Sequence, residues 1–260
     1  MMKLSPKSSR KDLLYPLAGI IIFLLVWQLV ASFLINKEWL LPTPGAVIVA
    51  FGENLPLIWH HSLYTLAEAG LGMLLAVIVS LGIALLMALS PAIKKTLYPL
   101  LLGSQMVPII VLAPLFIIWF GYGTLPKVLV VILICFFPMT INILAGLNAA
   151  DNETLSFYRS MGMNDKQLFR MIRLPLALPH FFSGLRISAV YSVMGAVIGE
   201  WLGAQAGLGL MLIRAQNAFN LPLVFAAILA IIIWSALIFG LVKIAESRCL
   251  KWRKYLNDEK

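Results

Sequence analysis

Residues 221–242, with the sequence LPLVFAAILAIIIWSALIFGLV, form an apolar run without a single charged side chain. A helix needs about 20 apolar residues to cross the roughly 30 Å hydrocarbon core of a bilayer, and this run is long enough. Across all 260 residues, 61% are hydrophobic and only 12% are charged. Soluble proteins rarely expose apolar patches larger than a few hundred Å², so a water-soluble fold could not cover this surface. The sequence therefore predicts an all-α integral membrane protein.

Five further apolar runs precede this one along the chain. They lie at residues 14–34, 63–89, 97–120, 128–147 and 182–202. The second is interrupted only by Glu68, and the fifth is weaker because it contains Arg186 and Glu200. The first follows a basic segment, but it exceeds the usual core of a signal peptide and no A-x-A cleavage site follows it, so we interpret it as a retained helix. We predict six transmembrane helices.

Lysine and arginine are distributed unequally between the two sides of these spans. Six spans place both termini on the same side, and 17 of the 20 basic residues lie in the segments on that side. The opposite side holds only Lys37, Lys127 and Arg214. Basic residues are enriched in the cytoplasmic loops of membrane proteins. Both termini are therefore predicted to lie in the cytoplasm.

Composition also argues against several classes of function. The net charge of +9 does not indicate nucleic acid binding, because the basic residues flank apolar runs and form no patch with interleaved aromatic residues. Cys135 and Cys249 have no metal-ligand or disulfide spacing. No acidic cluster accompanies His60, His61 and His180, so we predict no metal site and interpret these histidines as residues of the aqueous boundary.

Polar residues inside the apolar runs are candidates for function, because charged groups are costly at membrane depth. Glu68 and Glu200 lie toward the outer ends of their spans, and we favour a structural or gating role for them over contact with a transported solute. Proline and glycine within the spans either allow close packing or let kinked helices line a pathway. The weaker pathway candidates are Gln105, Trp119, Asn142 and Gln205.

Residues 151–182 form the longest segment between spans on the predicted cytoplasmic side. Asp151 and Asn152 are good N-caps for a short helix that runs to Met161. Gly162 then suits the left-handed turn that ends many helices. A second helix is predicted from Asn164, whose side chain can form a capping box with residue 167.

The second helix is predicted to cover residues 165–174 and to end at Pro175. Its apolar side chains lie on one side and its basic side chains elsewhere, so it is amphipathic. So much local order costs conformational entropy unless the segment docks onto something. The residues alone leave two possibilities open, which are a partner protein and the lipid headgroups.

This segment resembles the cytoplasmic loop of ABC importer permeases, whose pattern is E-A-A-x3-G-x9-I-x-L-P. Gly162 is followed by nine residues and then by Ile172, Arg173, Leu174 and Pro175. The pattern departs at its start, where Ser156-Phe157-Tyr158 replaces E-A-A, although Glu153 lies one turn earlier. The resemblance implies contact with an ATPase subunit through a coupling helix. The residues to which it assigns this coupling are Glu153, Ser156, Arg159, Gly162, Ile172, Leu174 and Pro175.

Further stretches resemble one branch of this family, the permeases for nitrate, sulfonates, taurine and thiamine precursors. They are WLLPTP at 39–44, APLFIIWFG at 113–121, GEWLGA at 199–204 and GLG at 207–209. The stretch WFGYG at 119–123, followed by LPK at 125–127, looks most like permeases for a hydroxymethylpyrimidine-like thiamine precursor. Sulfonate, taurine and nitrate remain the alternative substrates.

Membership in this family implies a type I importer permease fold in the bacterial plasma (inner) membrane. It also implies two permease subunits, two ATPase subunits and an extracytoplasmic solute-binding protein. We predict that the two permease subunits are a homodimer of this chain. The chain has no G-x-x-x-x-G-K-[ST] loop, so ATP is expected on the separate subunit, and the permease itself is expected to be non-catalytic and to need no cofactor. A heterodimer with a related permease stays open.

The expected division of the chain follows from these predictions. Residues 1–13 form a cytoplasmic N-terminus, 14–34 the first transmembrane helix, 35–57 an extracytoplasmic segment, 58–246 the permease core with its coupling loop at 151–182, and 247–260 a cytoplasmic tail. Two alternatives come from other classes. A membrane-embedded enzyme would need clustered His, Asp or Glu, and an ion-coupled secondary transporter would be expected to show repeat symmetry, which we do not find.

Overall fold

A computed structural model describes residues 10–35, 37 and 40–251. The regular structure of these residues is entirely helical. The α-helices are α1 (Arg10–Leu29), α2 (Pro44–Glu53), α3 (Leu55–Leu89), α4 (Pro91–Ser104), α5 (Ile109–Phe120), α6 (Thr124–Leu147), α7 (Asn152–Ser160), α8 (Asp165–Leu168), α9 (Leu174–Glu200), α10 (Leu208–Asn217) and α11 (Leu221–Cys249). Two π-helical segments, Val30–Ile35 and Phe169–Arg173, follow α1 and α8. The basic residues at 1–9 and 252–260, and Trp39 of the WLLPTP stretch, lie outside the described residues.

The described residues include five helical segments that are long and apolar enough to cross a membrane. These are Leu14–Ile35, Leu55–Leu89, Thr124–Leu147, Asp165–Glu200 and Leu221–Cys249. Helices α4 and α5 pass the same test as a pair, although they meet at 97° across a short break. With this bent pair taken as one span, the number is six. The all-α membrane fold predicted from the sequence is confirmed.

The third predicted span, residues 97–120, is divided between α4 and α5 and is not one continuous helix. The chain breaks between α4 and α5, where Gln105 and Met106 donate backbone hydrogen bonds only three residues back, to Leu102 and Gly103. Pro108 explains the break, because it has no backbone N–H to continue a helix and its ring disfavours helical conformation at the residue before it. The polar backbone freed in this way must be covered by protein or reached by water.

Pro175 does not end a helix, contrary to the prediction from the sequence. It occupies the first turn of α9, and the chain is helical from Asp165 through to Glu200. The π-helical turn Phe169–Arg173 directly before it is wider than an α-helical turn. Pro175 removes one backbone donor from this continuous helix, and the wider turn before it leaves room for the proline ring, so the helix continues past it. The helix that contains the fifth predicted span therefore begins well before residue 182.

Two helices begin with the same local chemistry. Thr43 caps α2 by accepting a hydrogen bond from the backbone N–H of Ala46 at 3.2 Å. Ser90 caps α4 in the same way, with the N–H of Ile93 at 3.4 Å. In both cases proline follows the cap at the first helical position, where its fixed φ suits the helix.

The described residues fall into two compact units. The smaller one contains the chain up to Ile58 together with Leu212–Leu229. Within it, the indole N–H of Trp27 donates a hydrogen bond to the carbonyl oxygen of Pro42 at 3.0 Å. The same indole ring lies 5.6 Å from the ring of Phe225, measured between centroids.

The larger unit contains Trp59–Met211 and the chain from Ala230 onward. Its main contact joins α6 and α9, which pack along most of their lengths. Glycines allow this close approach, since a Cβ at Gly199 would lie 2.9 Å from the Cα of Lys127 and one at Gly146 would lie 2.8 Å from the Cα of Ala177. The sequence left the role of glycine open between packing and a pathway, and at these two positions it is packing.

Candidate functional site

The first candidate site is the loop between α6 and α9, and it begins with a capped helix. Asp151 precedes α7, and its carboxylate Oδ1 accepts a hydrogen bond from the backbone N–H of Thr154 at 2.7 Å. A hydrogen bond from the Thr154 side chain, and next this backbone hydrogen bond, lower the pKa of Asp151, because both stabilise the charged form. The negative charge also faces the positive end of the helix dipole. The N-cap predicted from the sequence is confirmed.

Helix α7 ends in a Schellman motif centred on Gly162. The N–H of Gly162 donates to the carbonyl of Arg159 at 2.9 Å, and the N–H of Met163 donates to the carbonyl of Tyr158 at 3.2 Å. Gly162 has φ of +89°, which lies in the left-handed region. Glycine adopts this conformation without the steric cost that a Cβ would bring. The predicted left-handed turn is confirmed.

The turn after Gly162 is fixed by a second set of local bonds. Asn164 and Gln167 form the predicted capping box, with side-chain to backbone distances of 2.9 Å and 2.8 Å in the two directions. The guanidinium of Arg159 lies 2.8 Å from the carboxylate of Asp165, which joins α7 to α8. Both of these side chains are exposed, so this ion pair contributes little to stability. The loop is therefore held mainly by its caps.

The outward face of α7 mixes apolar and polar side chains. Leu155 points inward and is buried, whereas Phe157 and Met161 are 61% and 66% exposed. Glu153 and Ser156 are exposed beside them, and so is Arg159 in the last turn. Of the residues further along the loop pattern, Ile172 and Pro175 are half-buried on the continuous helix into α9, and Leu174 is 43% exposed. Exposed aromatic, methionine and arginine side chains of this kind are enriched where proteins contact a partner, whereas exposed Glu and Ser are not.

The second candidate site is a buried cluster of charged and polar groups in the larger unit. The Nζ of Lys127, in the first turn of α6, lies 2.5 Å from Oε1 of Glu68 in α3. Their side chains are only 9% and 3% exposed. The second carboxylate oxygen of Glu68 is buried and has no hydrogen-bond partner among the described residues. Removing one member of such a pair leaves the other as an uncompensated buried charge.

Glu200 joins the end of α9 to α3 and to the turn that follows. Its Oε1 accepts a hydrogen bond from the hydroxyl of Thr65, and its Oε2 accepts one from the backbone N–H of Gly209, both at 2.6 Å. Thr65 Oγ1 in turn accepts from the N–H of Leu208 at 2.9 Å. Gly207 has φ of +133°, and a Cβ there would overlap the Glu200 carboxylate. The GLG stretch at 207–209 therefore wraps around a buried glutamate.

The structure brings together only part of the predicted pathway set. Glu68 and Glu200 lie in one cluster, and Gln205 lines a cavity of about 100 Å³ beside Glu68. Gln105 is exposed at the break between α4 and α5. Trp119 is 65% exposed near the end of α5. The side-chain amide of Asn142 donates a 2.7 Å hydrogen bond to the carbonyl oxygen of Pro138 within its own helix. Gln105, Trp119 and Asn142 therefore lie outside the cluster.

Three members of the cluster were not predicted from the sequence. Lys127 was predicted only as a loop charge and as part of the LPK stretch, and Thr65 was not predicted to have a role. His61 was interpreted as a boundary residue, which is wrong, since it is 6% exposed and its Nδ1 accepts a hydrogen bond from the N–H of Gly207 at 2.9 Å. The sequence contains one indication that such partners exist, which is the presence of two glutamates inside the predicted spans. Glu68 and Glu200 require basic or hydrogen-bonding partners at that depth. The described residues contain no group of three or more His, Cys, Asp or Glu side chains that could hold a metal ion.

Comparison with known proteins places these features in a family. Residues 72–251 match the family described as "Binding-protein-dependent transport system inner membrane component". The chain is 36% identical over 242 residues to the formylaminopyrimidine transport permease protein ThiX of Halalkalibacterium halodurans, covering 93% of this chain and 96% of the relative. It is 33% identical to the riboflavin transport system permease protein RibX of Chloroflexus aurantiacus, covering 90% of this chain and 88% of the relative.

Two further similarities extend this result. The chain is 30% identical to the putative aliphatic sulfonates transport permease protein SsuC of Bacillus subtilis, covering 89% of this chain and 85% of the relative. Among solved structures, a chain of the MetNI methionine ABC transporter in inward facing conformations superposes with a TM-score of 0.61 at 17% identity, covering 76% of this chain and 94% of that chain. At this level of identity the superposition establishes the fold.

Proposed function

Because the chain belongs to the family of inner membrane components of binding-protein-dependent transport systems, and is thus the non-catalytic permease of an ABC importer, we propose that it carries a pyrimidine precursor of thiamine across the bacterial inner membrane. The observation that supports this substrate is the 36% identity to a formylaminopyrimidine permease over nearly the whole of both chains. The WFGYG stretch at 119–123 and LPK at 125–127 agree with it. The relatives named for riboflavin and for aliphatic sulfonates define the competing substrates.

The loop from Asp151 to Pro175 is proposed to dock onto the ATPase subunit. Support comes from its geometry, since α7 is capped at both ends and presents Phe157 and Met161 outward. Its second half continues without a break into α9, a membrane-spanning helix. The loop is thereby suited to pass a movement of the ATPase to the spans. The family pattern expects an acidic residue at position 156, where this chain has Ser156. Glu153, in the first turn of α7, is proposed to take its place.

The remaining partners are proposed from family membership and from charge. The transport pathway would lie between two copies of this chain, ATP would bind only to the ATPase, and an extracytoplasmic binding protein would deliver the solute. Both termini and the loop of α7 are proposed to face the cytoplasm, because 17 of 20 basic residues lie on that side of the six spans. Lipid covers the many exposed apolar side chains of α1 and α3.

The bent pair α4–α5 is the proposed wall of the translocation pathway. Its break exposes polar backbone and the side chain of Gln105 at membrane depth, which is tolerated where water or protein covers it. Trp119 and Asn142 are proposed to face the same pathway in the homodimer. Glu68 and Glu200 are proposed to hold one end of the spans together, because both are buried and bonded within the larger unit.

Reconstituted transport tests the substrate directly. The chain would be placed in vesicles with its ATPase and loaded binding protein, and ATP-driven uptake of labelled formylaminopyrimidine, riboflavin, taurine and an alkanesulfonate would be compared. We expect uptake of the pyrimidine alone, and none when the ATPase cannot hydrolyse ATP. Uptake of a sulfonate or of riboflavin without the pyrimidine would refute the substrate while leaving the permease assignment intact.

A further inference from the structure

A cavity of about 820 Å³ lies in the larger unit between the first half of α4 and the last turns of α6. We call it the α4–α6 groove. It is defined by Lys94, Lys95 and Tyr98 of α4, by Leu144 and Ala145 of α6, and by Asn148, which caps the end of α6. None of these residues belongs to the α7 loop or to the cluster around Glu68, so the groove is separate from both candidate sites.

The charge of the groove is positive. Lys94 and Lys95 are both exposed, and neither forms a salt bridge within the part of the chain that the structure describes. Among the described residues that line the groove there is no aspartate or glutamate. Two adjacent ammonium groups without acidic neighbours attract an anion, and a phosphate is the anion that a membrane boundary supplies.

The wall of the groove is apolar. Ile141, Leu144 and Ala145 form one side of it, and Leu144 also belongs to the buried core of this unit. On α4, Ile93 and Leu97 pack against that core, which turns Lys94 and Tyr98 toward the groove. A free inorganic anion gains no binding free energy from an apolar wall. A molecule with an anionic head and a hydrocarbon chain gains binding free energy from both the lysines and the wall.

The position of the groove fits a lipid. Lys94 and Lys95 lie one turn after Ser90, where the chain passes from α3 to α4, and Asn148 directly follows the end of α6. Charged side chains at the ends of apolar helices lie at the level of the headgroups, and Tyr98 has the amphipathic ring that is enriched there. The apolar wall then runs from this level toward the bilayer core.

We propose that the α4–α6 groove binds an anionic phospholipid, with its phosphate at Lys94 and Lys95 and one acyl chain along the wall formed by α6. The lipid is recognised by headgroup charge, so phosphatidylglycerol binds more tightly than phosphatidylcholine of the same chain length. Each basic residue near a membrane surface contributes about 1 kcal/mol to attraction of anionic lipid. Loss of both charges is therefore expected to weaken binding about 30-fold, the equivalent of about 2 kcal/mol.

Native mass spectrometry of the full-length chain in detergent tests the proposal. Phosphatidylglycerol and phosphatidylcholine with identical acyl chains would be titrated separately, and the bound copies counted. The Lys94→Gln/Lys95→Gln variant is expected to lose the preference for phosphatidylglycerol. The matched control, Lys243→Gln/Lys251→Gln, removes two exposed lysines from the region of the end of α11 and is expected to keep it.

A second variant and a competitor separate a lipid from a free phosphate. Ala145→Trp places a large ring on the apolar wall of the groove without changing its charge, and it is expected to displace the lipid as strongly as the double lysine variant does. Glycerol 3-phosphate is expected not to compete at concentrations that exceed those of the lipid. Equal binding of the two lipids, retention of the preference in either groove variant, or efficient competition by glycerol 3-phosphate would each overturn the proposal.

Discussion

Replacing Gly162 by valine tests whether the loop of residues 151–175 couples this chain to its ATPase. Gly162 has φ of +89°, and the space around the position of an added Cβ is open, with no atom within 4 Å. The penalty is therefore conformational, about 1–2 kcal/mol for a residue with a Cβ in the left-handed region. A helix as short as α7 is not stable alone. A penalty of this size shifts the population of its capped end by about 5- to 30-fold.

The expected order of transport follows from this conformation. Asparagine tolerates the left-handed region, so Gly162→Asn is expected to stay closest to the unmodified chain, Gly162→Ala to lie between, and Gly162→Val to be lowest. ATP-driven uptake and solute-stimulated ATP hydrolysis in vesicles are the two measurements, with membrane abundance as the check on insertion. Gly52→Val is the matched control, because Gly52 also has open space but no left-handed φ. If Gly162→Val inserts, binds the ATPase and transports at the unmodified rate, the loop is not the coupling element.

Three further predictions concern stability and topology. Lys127→Met leaves Glu68 as an unpaired buried charge and is expected to destabilise the protein by about 3–5 kcal/mol, seen as a lower thermal midpoint that Lys127→Met/Glu68→Gln recovers in part. The lowered pKa of Asp151 means that its cap stabilises α7 at neutral pH and that this stabilisation is lost as the pH falls through the folded-state pKa. The hydrogen-exchange rate of the Thr154 amide should therefore rise in acid relative to the rate of an unprotected amide at the same pH. The Asp151→Asn variant should not show this relative rise. A cysteine at Asp165 should resist an impermeant thiol reagent in intact cells and one at Asn217 should react, both in a chain without Cys135 and Cys249; the reverse pattern would refute the orientation.

Local rules predicted the parts of the fold that depend on neighbouring residues. The spans follow from unbroken apolar runs, and the caps at Asp151, Gly162 and Asn164 follow from side chains that bond within three or four residues of themselves. The loop pattern around Gly162 and Pro175 indicated the family of importer permeases, which is confirmed. The roles assigned to single residues, and the division of the chain into segments, stay predictions.

Features that depend on distant or cooperative contacts could not be predicted in this way. Lys127 and Glu68 are separated by 59 residues, and Thr65 and Glu200 by 135, so nothing in either neighbourhood specifies the pairing. Pro175 was misjudged for a different reason. Its effect depends on the π-helical turn before it, which has no clear signature in the sequence.

The unbroken helical path from Asp165 to Glu200 has a mechanical consequence. Its 36 residues correspond to a rod of about 54 Å at the rise of an α-helix. A tilt of about 5° at the end near Gly162 would carry the opposite end sideways by about 4–5 Å over that length. The two 2.6 Å bonds of Glu200 cannot stretch so far, so they must travel with the rod or break. If the ATPase docks at the loop as proposed, its movement would reach the Glu200 end of this helix through one continuous backbone, without a relay of intermediate side chains.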